Sequence, residues 1–400
     1  MLGRVLNTHQ QWLGRRLADL GHVVTRQVAI ADDGGEIQQA VREALGRADL
    51  IITTGGLGPT SDDITRELIA ELLGKKLVKD LAVLAHIENF FTKRGRPRPQ
   101  KTEVETWVPE GSEVFLNATG TAPGLAIKIG ERTQWLVMLP GPPRELRPMF
   151  DTFVMPLVKR EFAAEIFVCR TLRTTGIGES RVQEFVEAEL QPLVARGLGV
   201  GYCARPGAVD VRLTAAGGTA EKTVGEAETV VRRILGENIF GADDDELEDV
   251  VVKLLAGKGK TLVLAESCTG GAIAQKITDV PGASGVFLGG VVSYANSAKE
   301  KILGVRPATL THHGAVSEAV AREMAVGARE RFGSDFALAV TGIAGPAGGT
   351  PEKPVGTVFI ALATVAGVDV KKHLNVWDRA TFKQVTATQA LEWLRQAVSA

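Results

Sequence analysis

The stretch that decides the fold is "TLVLAESCTGGAIAQKI" at residues 261–277. Its first five residues are typical of a buried strand, and the apolar spacing of its last six predicts a helix. Ser267, Cys268 and Thr269 therefore lie where a strand passes into a helix. A hydroxyl at such a place can cap the helix by accepting hydrogen bonds from free backbone N–H groups of the first turn. It can also be the nucleophile of a strand–turn–helix site. The stretch alone leaves both interpretations open.

Strand and helix patterns alternate on both sides of this stretch, which predicts an α/β protein. We expect a doubly wound domain with a mostly parallel sheet over 1–160, its strands including "TRQVAIAD" at 25–32. A β-α-β-α run over 165–243 predicts a small α+β module. The alternation resumes over 246–400, where we expect a second α/β domain of ordinary size.

Composition excludes several classes of protein. The 400 residues carry a formal net charge of −1, so no overall field favours nucleic acid or an anionic membrane. The three cysteines form no CxxC pair, which suits a reducing compartment and argues against a zinc knuckle. No apolar run reaches the ~20 residues of a membrane helix, and no leader pattern is visible. We expect a cytoplasmic protein that binds neither nucleic acid nor membrane.

Reactive side chains follow the predicted strands of the C-terminal domain. A serine such as Ser267 needs a neighbouring base, and Lys299, after the next predicted strand, can be that base if burial lowers its pKa. The backbone N–H groups of Gly270 and Gly271 could hold a developing oxyanion. Arg379, near the start of the final helix pattern, could bind a phosphate as a fork. The alternatives are a solvated helix face for Lys299 and plain surface charge for Arg379.

Several motifs lie along this domain: "AESCTGG" (265–271), "GGVVSYANSAKEKILGV" (289–305), "AVTGIAGPAGGTPEKPVGTVFIAL" (339–362) and "DRATF" (378–382). Together they closely resemble the C-terminal domain of the CinA family, the nicotinamide mononucleotide amidases. The resemblance implies that nicotinamide mononucleotide is hydrolysed to nicotinate mononucleotide and ammonia without a metal or other cofactor. It implies Ser267 as nucleophile and Lys299 as its base. The substrate-binding residues that it implies are Thr269, Gly270, Gly271, Tyr294, Thr341, Gly342, Gly345 and Arg379.

Trp377 and Cys268 each lie within two residues of one of these implied site residues. Trp377 precedes "DR", where the family commonly has a glycine. Cys268 lies beside the implied nucleophile, but one residue along a turn its thiol would point elsewhere, so we interpret it as buried filler.

The stretch "TTGGLGPTSDDIT" (53–65) is the main candidate site of the N-terminal domain. Glycine loops let a backbone approach phosphates, and a helix start favours anions. The candidate phosphate-binding residues are Gly55, Gly56, Gly58 and Thr60. Asp62 and Asp63 would hold a divalent metal ion. Capping of the next helix by Ser61 and Asp62 is an equally open interpretation.

This stretch, with "NATGTAPGLAI" (117–127) and "MLPGPPREL" (138–146), resembles the molybdopterin-binding-like domain at the front of the CinA family. The resemblance implies ADP-ribose pyrophosphatase activity with a divalent metal and potassium. "TTGIGES" (174–180) is similar to the family's KH-like middle module, but no basic GxxG clamp accompanies it, so we expect no RNA binding.

Family members usually begin with a strand and a G-x-E-L-L-x-G loop ahead of "NT", whereas this chain has only "MLGRVLNTH" (1–9). We therefore expect the first strand to be missing, with either a start downstream of the true one or an impaired N-terminal domain. The family resemblance also implies a homodimer. A non-catalytic scaffold that binds a pterin or nucleotide, linked to competence or DNA damage, is the alternative to a salvage hydrolase.

Overall fold

The computed structural model describes residues 7–130, 133–163 and 166–399. The chain divides into two compact units, Met1–Phe167 and Val168–Ala400. The expected loss of a first strand falls on residues 1–6, which lie outside the described residues. Among the described helices, none combines the length and the apolar character that crossing a bilayer requires.

The N-terminal unit is a mixed α/β structure. Its helices and strands, in chain order, are α1 (His9–Ala18), α2 (Gly34–Leu45), β1 (Leu50–Thr54), α3 (Thr65–Leu72), β2 (Leu77–Lys79), α4 (Leu81–Thr92), β3 (Trp107–Pro109), β4 (Glu113–Phe115), β5 (Gly124–Ile129), β6 (Gln134–Leu139), α5 (Pro143–Met149) and α6 (Met155–Glu161).

The main sheet of this unit has the order β1-β6-β5-β4. Only β1 and β6 are parallel, whereas β6 with β5 and β5 with β4 are antiparallel. The prediction of a mostly parallel sheet is therefore wrong for the described strands. The connection between β5 and β6 is too short for a crossover, and a short connection forces antiparallel pairing.

The predicted strand at 25–32 is also wrong, because residues 22–31 form no ladder. The segment has the alternation of a strand, yet Val23 and Val28 are 66% and 54% exposed. Alternation produces a strand only where a partner offers hydrogen bonds. β1 is the edge strand of the sheet, and no described strand pairs with its outer side.

The middle module forms a β-α-β-β-α-β structure. Its elements are β7 (Phe167–Thr175), α7 (Glu179–Val194), β8 (Gly199–Arg205), β9 (Ala208–Ala216), α8 (Ala220–Leu235) and β10 (Ile239–Ala242), with the sheet order β10-β7-β9-β8. The predicted β-α-β-α run missed β8 and β10. β8 contains two residues that are uncommon in strands, Gly199 and Gly201, and pairs antiparallel with β9.

The C-terminal domain has a five-stranded sheet of order β12-β11-β13-β14-β15. Its elements are α9 (Leu247–Gly257), β11 (Leu262–Glu266), α10 (Ala272–Thr278), β12 (Phe287–Val292), α11 (Asn296–Leu303), α12 (Pro307–His313), α13 (Glu318–Phe332), β13 (Phe336–Gly342), β14 (Thr357–Ala363), β15 (Val368–Leu374) and α14 (Arg379–Ser399). β11 lies between β12 and β13 and is parallel to both. The carboxyl ends of these three strands therefore meet at one edge, which is where ligands bind in such sheets.

Candidate active site

Ser267 and Lys299 meet at that edge. Ser267 directly follows β11, and Lys299 lies on the helix that follows β12. The Ser293 backbone N–H donates to the Glu266 carbonyl oxygen at 2.8 Å, which holds the two strand ends together. Lys299 is only 1% exposed, and its Nζ lies 3.1 Å from Ser267 Oγ. The interpretation of Lys299 as part of a solvated helix face is therefore wrong.

The surroundings of Lys299 make its charged form less favourable than it is in water. Its Nζ donates to the Ser293 carbonyl oxygen at 2.7 Å and more weakly to the Tyr294 carbonyl oxygen at 3.4 Å. Among the described residues no carboxylate pairs with it. Burial lowers the pKa of Lys299, because the charged ammonium loses its water. In its neutral form the amine has two N–H bonds and one lone pair, so donation to the two carbonyl oxygens would leave the lone pair for the Ser267 hydroxyl.

Glu266, which sequence reasoning missed, caps the helix after the serine. Its side chain is 1% exposed, and its carboxylate accepts from the backbone N–H groups of Gly271 (2.9 Å), Ile273 (3.2 Å) and Ala274 (2.8 Å). The start of α10 has no other side-chain cap. Ser267 is therefore not the cap of this helix, and that interpretation is wrong. An acid just before the glycine turn was the available signal.

The two glycines of this turn are needed for its shape rather than for an oxyanion. Gly270 and Gly271 have φ angles of +63° and +95°, in the region that favours glycine. The backbone N–H of Gly270 donates to the Ser267 carbonyl oxygen at 3.1 Å, and that of Gly271 donates to Glu266. The expectation that these two N–H groups await an oxyanion is therefore corrected, since both already have acceptors.

Cys268 and Thr269 differ in what they can offer a ligand. Cys268 is buried, and burial raises the pKa of its thiol to about 12, so the thiolate that would react is not formed near neutral pH. This agrees with its interpretation as filler. The Thr269 hydroxyl is fully buried and has no hydrogen-bond partner among the described residues. Its capacity to hydrogen-bond is therefore unused within the described part of the chain.

Arg379 reaches two further predicted site residues. It is the first residue of α14, whose first turn is capped by Asp378 through the N–H groups of Ala380 (2.9 Å) and Thr381 (3.2 Å). The Arg379 guanidinium donates to the Gly345 carbonyl oxygen at 2.9 Å and to the Tyr294 hydroxyl at 2.7 Å. These three residues therefore form one cluster.

Trp377 does not disturb this cluster. It is 59% exposed, and Asp243 is the only non-glycine residue with a positive φ in the described part of the chain. The backbone at position 377 therefore does not require a glycine.

Thr341 and Gly342 lie at the same edge but are engaged elsewhere. The Thr341 hydroxyl, 1% exposed, donates to the Ala315 carbonyl oxygen at 2.8 Å. A Cβ on Gly342 would lie 2.8 Å from the Thr357 carbonyl oxygen, so close strand packing requires a glycine there. The Thr341 hydroxyl is therefore engaged with Ala315 rather than with the Ser267–Lys299 pair, and Gly342 has no side chain to contribute.

Lys383 is a further cation that sequence reasoning missed. It lies one helical turn after Arg379, and its Nζ is 3.6 Å from where a Cβ on Gly270 would stand. Lys383 and Arg379 line a cavity of about 690 Å³, and in the described residues neither has a carboxylate partner. The spacing of four residues on one helix was the available signal.

The glycine loops of the N-terminal unit meet at the carboxyl ends of β1 and β6. The Gly55 backbone N–H donates to the Leu139 carbonyl oxygen at 2.9 Å, and a Cβ on Gly141 would lie 3.6 Å from Gly55 Cα. Gly55 and Gly56 have φ angles of +94° and +70°. A Cβ on Gly56 would also lie 2.0 Å from Thr65 Oγ1. Backbone shape and close packing thus account for these glycines.

The acidic end of this loop is folded on itself. Thr60 donates to Asp63 Oδ2 from its backbone N–H at 3.0 Å and from its hydroxyl at 2.5 Å. A Cβ on Gly58 would lie 2.7 Å from the same oxygen. α3 begins without a side-chain cap, so the interpretation of Ser61 and Asp62 as caps is wrong.

The described residues supply few metal ligands here. Over 7–130, 133–163 and 166–399, no group of three or more His, Cys, Asp or Glu side chains is arranged to hold a metal ion. Asp62 is exposed, and one oxygen of Asp63 is occupied by Thr60. These two aspartates alone do not fit a resident metal ion.

Two buried ionisable residues beside the loop, Arg66 and Glu105, were not predicted. Both are fully buried, and the Arg66 guanidinium donates to the Leu57 carbonyl oxygen at 3.3 Å. Glu105 accepts from the Thr121 hydroxyl at 3.0 Å, and burial raises the pKa of its carboxyl to about 7. Arg66 Nε and Glu105 Oε2 are buried without a partner among the described residues. No spacing in the sequence marks either residue.

Three family models match the chain. A model described as a probable molybdopterin binding domain matches residues 1–160, the damage-inducible protein CinA KH domain matches 169–241, and the CinA C-terminal domain matches 244–398. They match, in the expected order, the three parts of the chain whose motifs carried the resemblance.

Individual relatives match almost the whole chain. A competence-damage inducible protein of Caldanaerobacter subterraneus subsp. tengcongensis is 44% identical over 99% of this chain and 95% of its own length. A CinA-like protein of Akkermansia muciniphila is 44% identical over 99% of this chain and 94% of its own. The crystal structure of competence/damage inducible protein CihA from Agrobacterium tumefaciens is 42% identical, covers 38% of this chain and 94% of that chain, and has a TM-score of 0.37. On the full-length relatives, the chain belongs to the CinA family of competence-damage inducible proteins.

Proposed function

We propose that the C-terminal domain hydrolyses the carboxamide of nicotinamide mononucleotide to nicotinate mononucleotide and ammonia. Ser267 is the nucleophile and Lys299 is its base. The observation that carries the proposal is the 3.1 Å contact between two buried side chains, Lys299 Nζ and Ser267 Oγ, where the lysine has no carboxylate partner among the described residues. A hydroxyl becomes nucleophilic when an adjacent base takes its proton.

The reaction proceeds in two halves. Neutral Lys299 removes the Ser267 hydroxyl proton as Oγ attacks the carboxamide carbon. The resulting ammonium returns that proton to the departing nitrogen, the C–N bond breaks, and ammonia leaves an ester on Ser267. Water then attacks the ester carbon, with Lys299 taking its proton and passing it to Oγ. The acid is released and the serine is restored.

The substrate's two ends meet different groups. The Thr269 hydroxyl, buried and without a partner among the described residues, can donate to the carboxamide oxygen. The cations of Arg379 and Lys383 line the cavity beside the turn and suit the phosphate of a mononucleotide. A neutral nicotinamide lacks that phosphate, so we expect the mononucleotide to be the better substrate.

The test is ammonia release from nicotinamide mononucleotide, measured in the presence of EDTA for the unmutated protein and for Ser267→Ala. We expect release that EDTA leaves unchanged and that the substitution lowers by about 10³-fold or more. The matched control is Cys268→Ala, one residue away, which should keep its activity because the buried thiol takes no part. No release from the unmutated chain contradicts the proposal.

For the N-terminal unit we propose a nucleotide site with ADP-ribose pyrophosphatase activity. The unpartnered buried atoms of Arg66 and Glu105, beside the glycine loops, support a polar ligand there. The test is titration with ADP-ribose, with and without magnesium and potassium, while AMP formation is followed. Binding without AMP formation would favour the non-catalytic scaffold, and absence of ADP-ribose binding contradicts the proposed pyrophosphatase.

A further inference from the structure

Glu266 has an unusual place beside the reacting pair. It is the last residue of β11 and directly precedes Ser267, yet its side chain turns away to the helix that follows the turn. Its backbone is also fixed, because the carbonyl oxygen accepts from the Ser293 N–H at 2.8 Å. Glu266 therefore links three parts of the fold: the end of β11, the segment that follows β12 at Ser293, and the first turn of α10.

The carboxylate is satisfied entirely by backbone N–H groups in the described residues. Oε2 accepts from Gly271 and Ile273, and Oε1 accepts from Ala274. A buried carboxylate otherwise needs a cation, and Lys299 is also buried. A salt bridge between the two would hold the lysine in its charged form. The separate hydrogen bonds of the two side chains leave Lys299 available as a base.

The same bonds define the turn that carries the serine. Residues 267–271 are held at one end by the Ser267 N–H on the Val340 carbonyl oxygen at 3.0 Å. The other end is held by the Gly271 N–H on Glu266 at 2.9 Å. Removing the second hold loosens a turn that contains two positive-φ glycines, Gly270 and Gly271, because glycine restricts the backbone least.

We propose that Glu266 is a positioning residue for the reaction: its buried carboxylate, bound to the start of α10, fixes the turn that sets Ser267 Oγ against Lys299 Nζ. This inference rests on the proposed amidase function. It also excludes the start of α10 as the place where the substrate's phosphate binds, because the chain's own carboxylate occupies those N–H groups.

The test compares Glu266→Gln with a matched control, Glu323→Gln. Glu323 is also largely buried, and it also accepts several hydrogen bonds, from Arg306 and from the Thr309 hydroxyl at 2.8 Å. Neither of these two partners is a proposed site residue. Glutamine keeps the shape but replaces one acceptor oxygen by a donor that would face backbone N–H groups. Both variants should lose some stability, which thermal unfolding measures.

We expect Glu266→Gln to lower kcat by about 10- to 100-fold while KM stays within about threefold, because the misplaced group is the nucleophile rather than a binding group. Glu323→Gln should leave kcat nearly unchanged. Hydrogen exchange should show faster exchange of the N–H groups of Gly271, Ile273 and Ala274 in the Glu266 variant. A folded Glu266→Gln protein with unchanged kcat overturns the proposal.

A second readout separates this proposal from the proposed function. The rate at which a fluorophosphonate labels Ser267 reports the reactivity of the serine without requiring the substrate. Labelling of the unmutated chain that slows in Glu266→Gln, with no ammonia release, would reject the substrate and retain the positioning role. Equal labelling of both proteins, or none of the unmutated one, overturns the positioning role.

Discussion

Two turns of this molecule share one sequence signature and differ in what surrounds them. Residues 55–63 and 267–271 each follow a strand, contain two positive-φ glycines and lead into a helix. In the C-terminal turn, Glu266 takes the helix's N–H groups, and a neighbouring strand end brings Lys299 to the serine. In the N-terminal turn, Asp63 binds Thr60 of its own loop, and the helix begins without a side-chain cap. The glycine pattern therefore specifies a backbone shape, and the chemistry comes from side chains that other elements deliver.

Replacing Lys299, beside the C-terminal turn, should cause the largest loss of activity. We expect Lys299→Ala to lower kcat/KM for nicotinamide mononucleotide by about 10²- to 10⁴-fold, because it removes the base. Lys301→Ala, two residues along the same helix and exposed, is the control and should retain its activity. Full activity without Lys299 would place the base elsewhere.

The pH dependence of the unmutated protein's activity tests the same lysine. The lysine must be neutral to take a proton, so activity should be absent at low pH and rise as the ammonium loses its proton. Burial lowers the pKa of Lys299 from 10.5, so the rise should occur below that value. A rise only at or above the ordinary lysine pKa would contradict a buried neutral amine.

The cation pair on α14 should have a smaller effect, on binding rather than on chemistry. We expect Arg379→Ala and Lys383→Ala each to raise KM for nicotinamide mononucleotide by about 10-fold, since each removes a charged contact to phosphate. Lys276→Ala is the control, because Lys276 lines the same cavity but is paired with Glu248 at 2.9 Å. An equal rise in KM for nicotinamide riboside, which has no phosphate, would show that the two cations do not act by binding the phosphate.

Glu105, beside the N-terminal turn, should make the free energy of unfolding depend on pH. Its carboxyl has a pKa of about 7 in the folded chain against 4.5 for the free side chain. The folded state therefore holds this proton more tightly, and the stability it contributes is complete below pH 4.5 and lost as the pH rises to about 7. Glu105→Gln should remove this loss, a difference of about 3 kcal/mol at most.

The measurement for this prediction is urea unfolding of both proteins at acidic and at mildly alkaline pH. Glu103→Gln is a control of opposite sign, since hydrogen bonds from Lys79 and Arg98 lower the pKa of Glu103. A Glu105→Gln protein whose stability changes with pH as the unmutated protein's does would contradict the raised pKa.

Sequence reasoning succeeded where local pattern and strand order decide the outcome. Each strand predicted for the C-terminal domain is present, and Ser267 and Lys299 meet because parallel strands end at one edge. It failed where pairing with another strand decides whether a segment becomes a strand. Residues 25–32 have a strand pattern but no ladder, and β8 has a ladder although two of its seven residues are glycines. Glu105 escaped prediction because its role depends on burial and on contacts that spacing does not encode. Glu266 and Lys383 had local signals in the sequence, but burial and the contacts made in the fold decide what these two side chains do.

Arg379 is held before any ligand arrives. An arginine at an exposed helix start usually moves among many rotamers, and binding a ligand then costs up to about 2 kcal/mol in lost side-chain entropy. Two of the N–H groups of Arg379 already donate to Gly345 and Tyr294, so much of that freedom is lost on folding. A phosphate would meet a guanidinium fork that is already ordered. Tyr294, which touches the fork through its hydroxyl, can thereby tune affinity without contacting the phosphate itself.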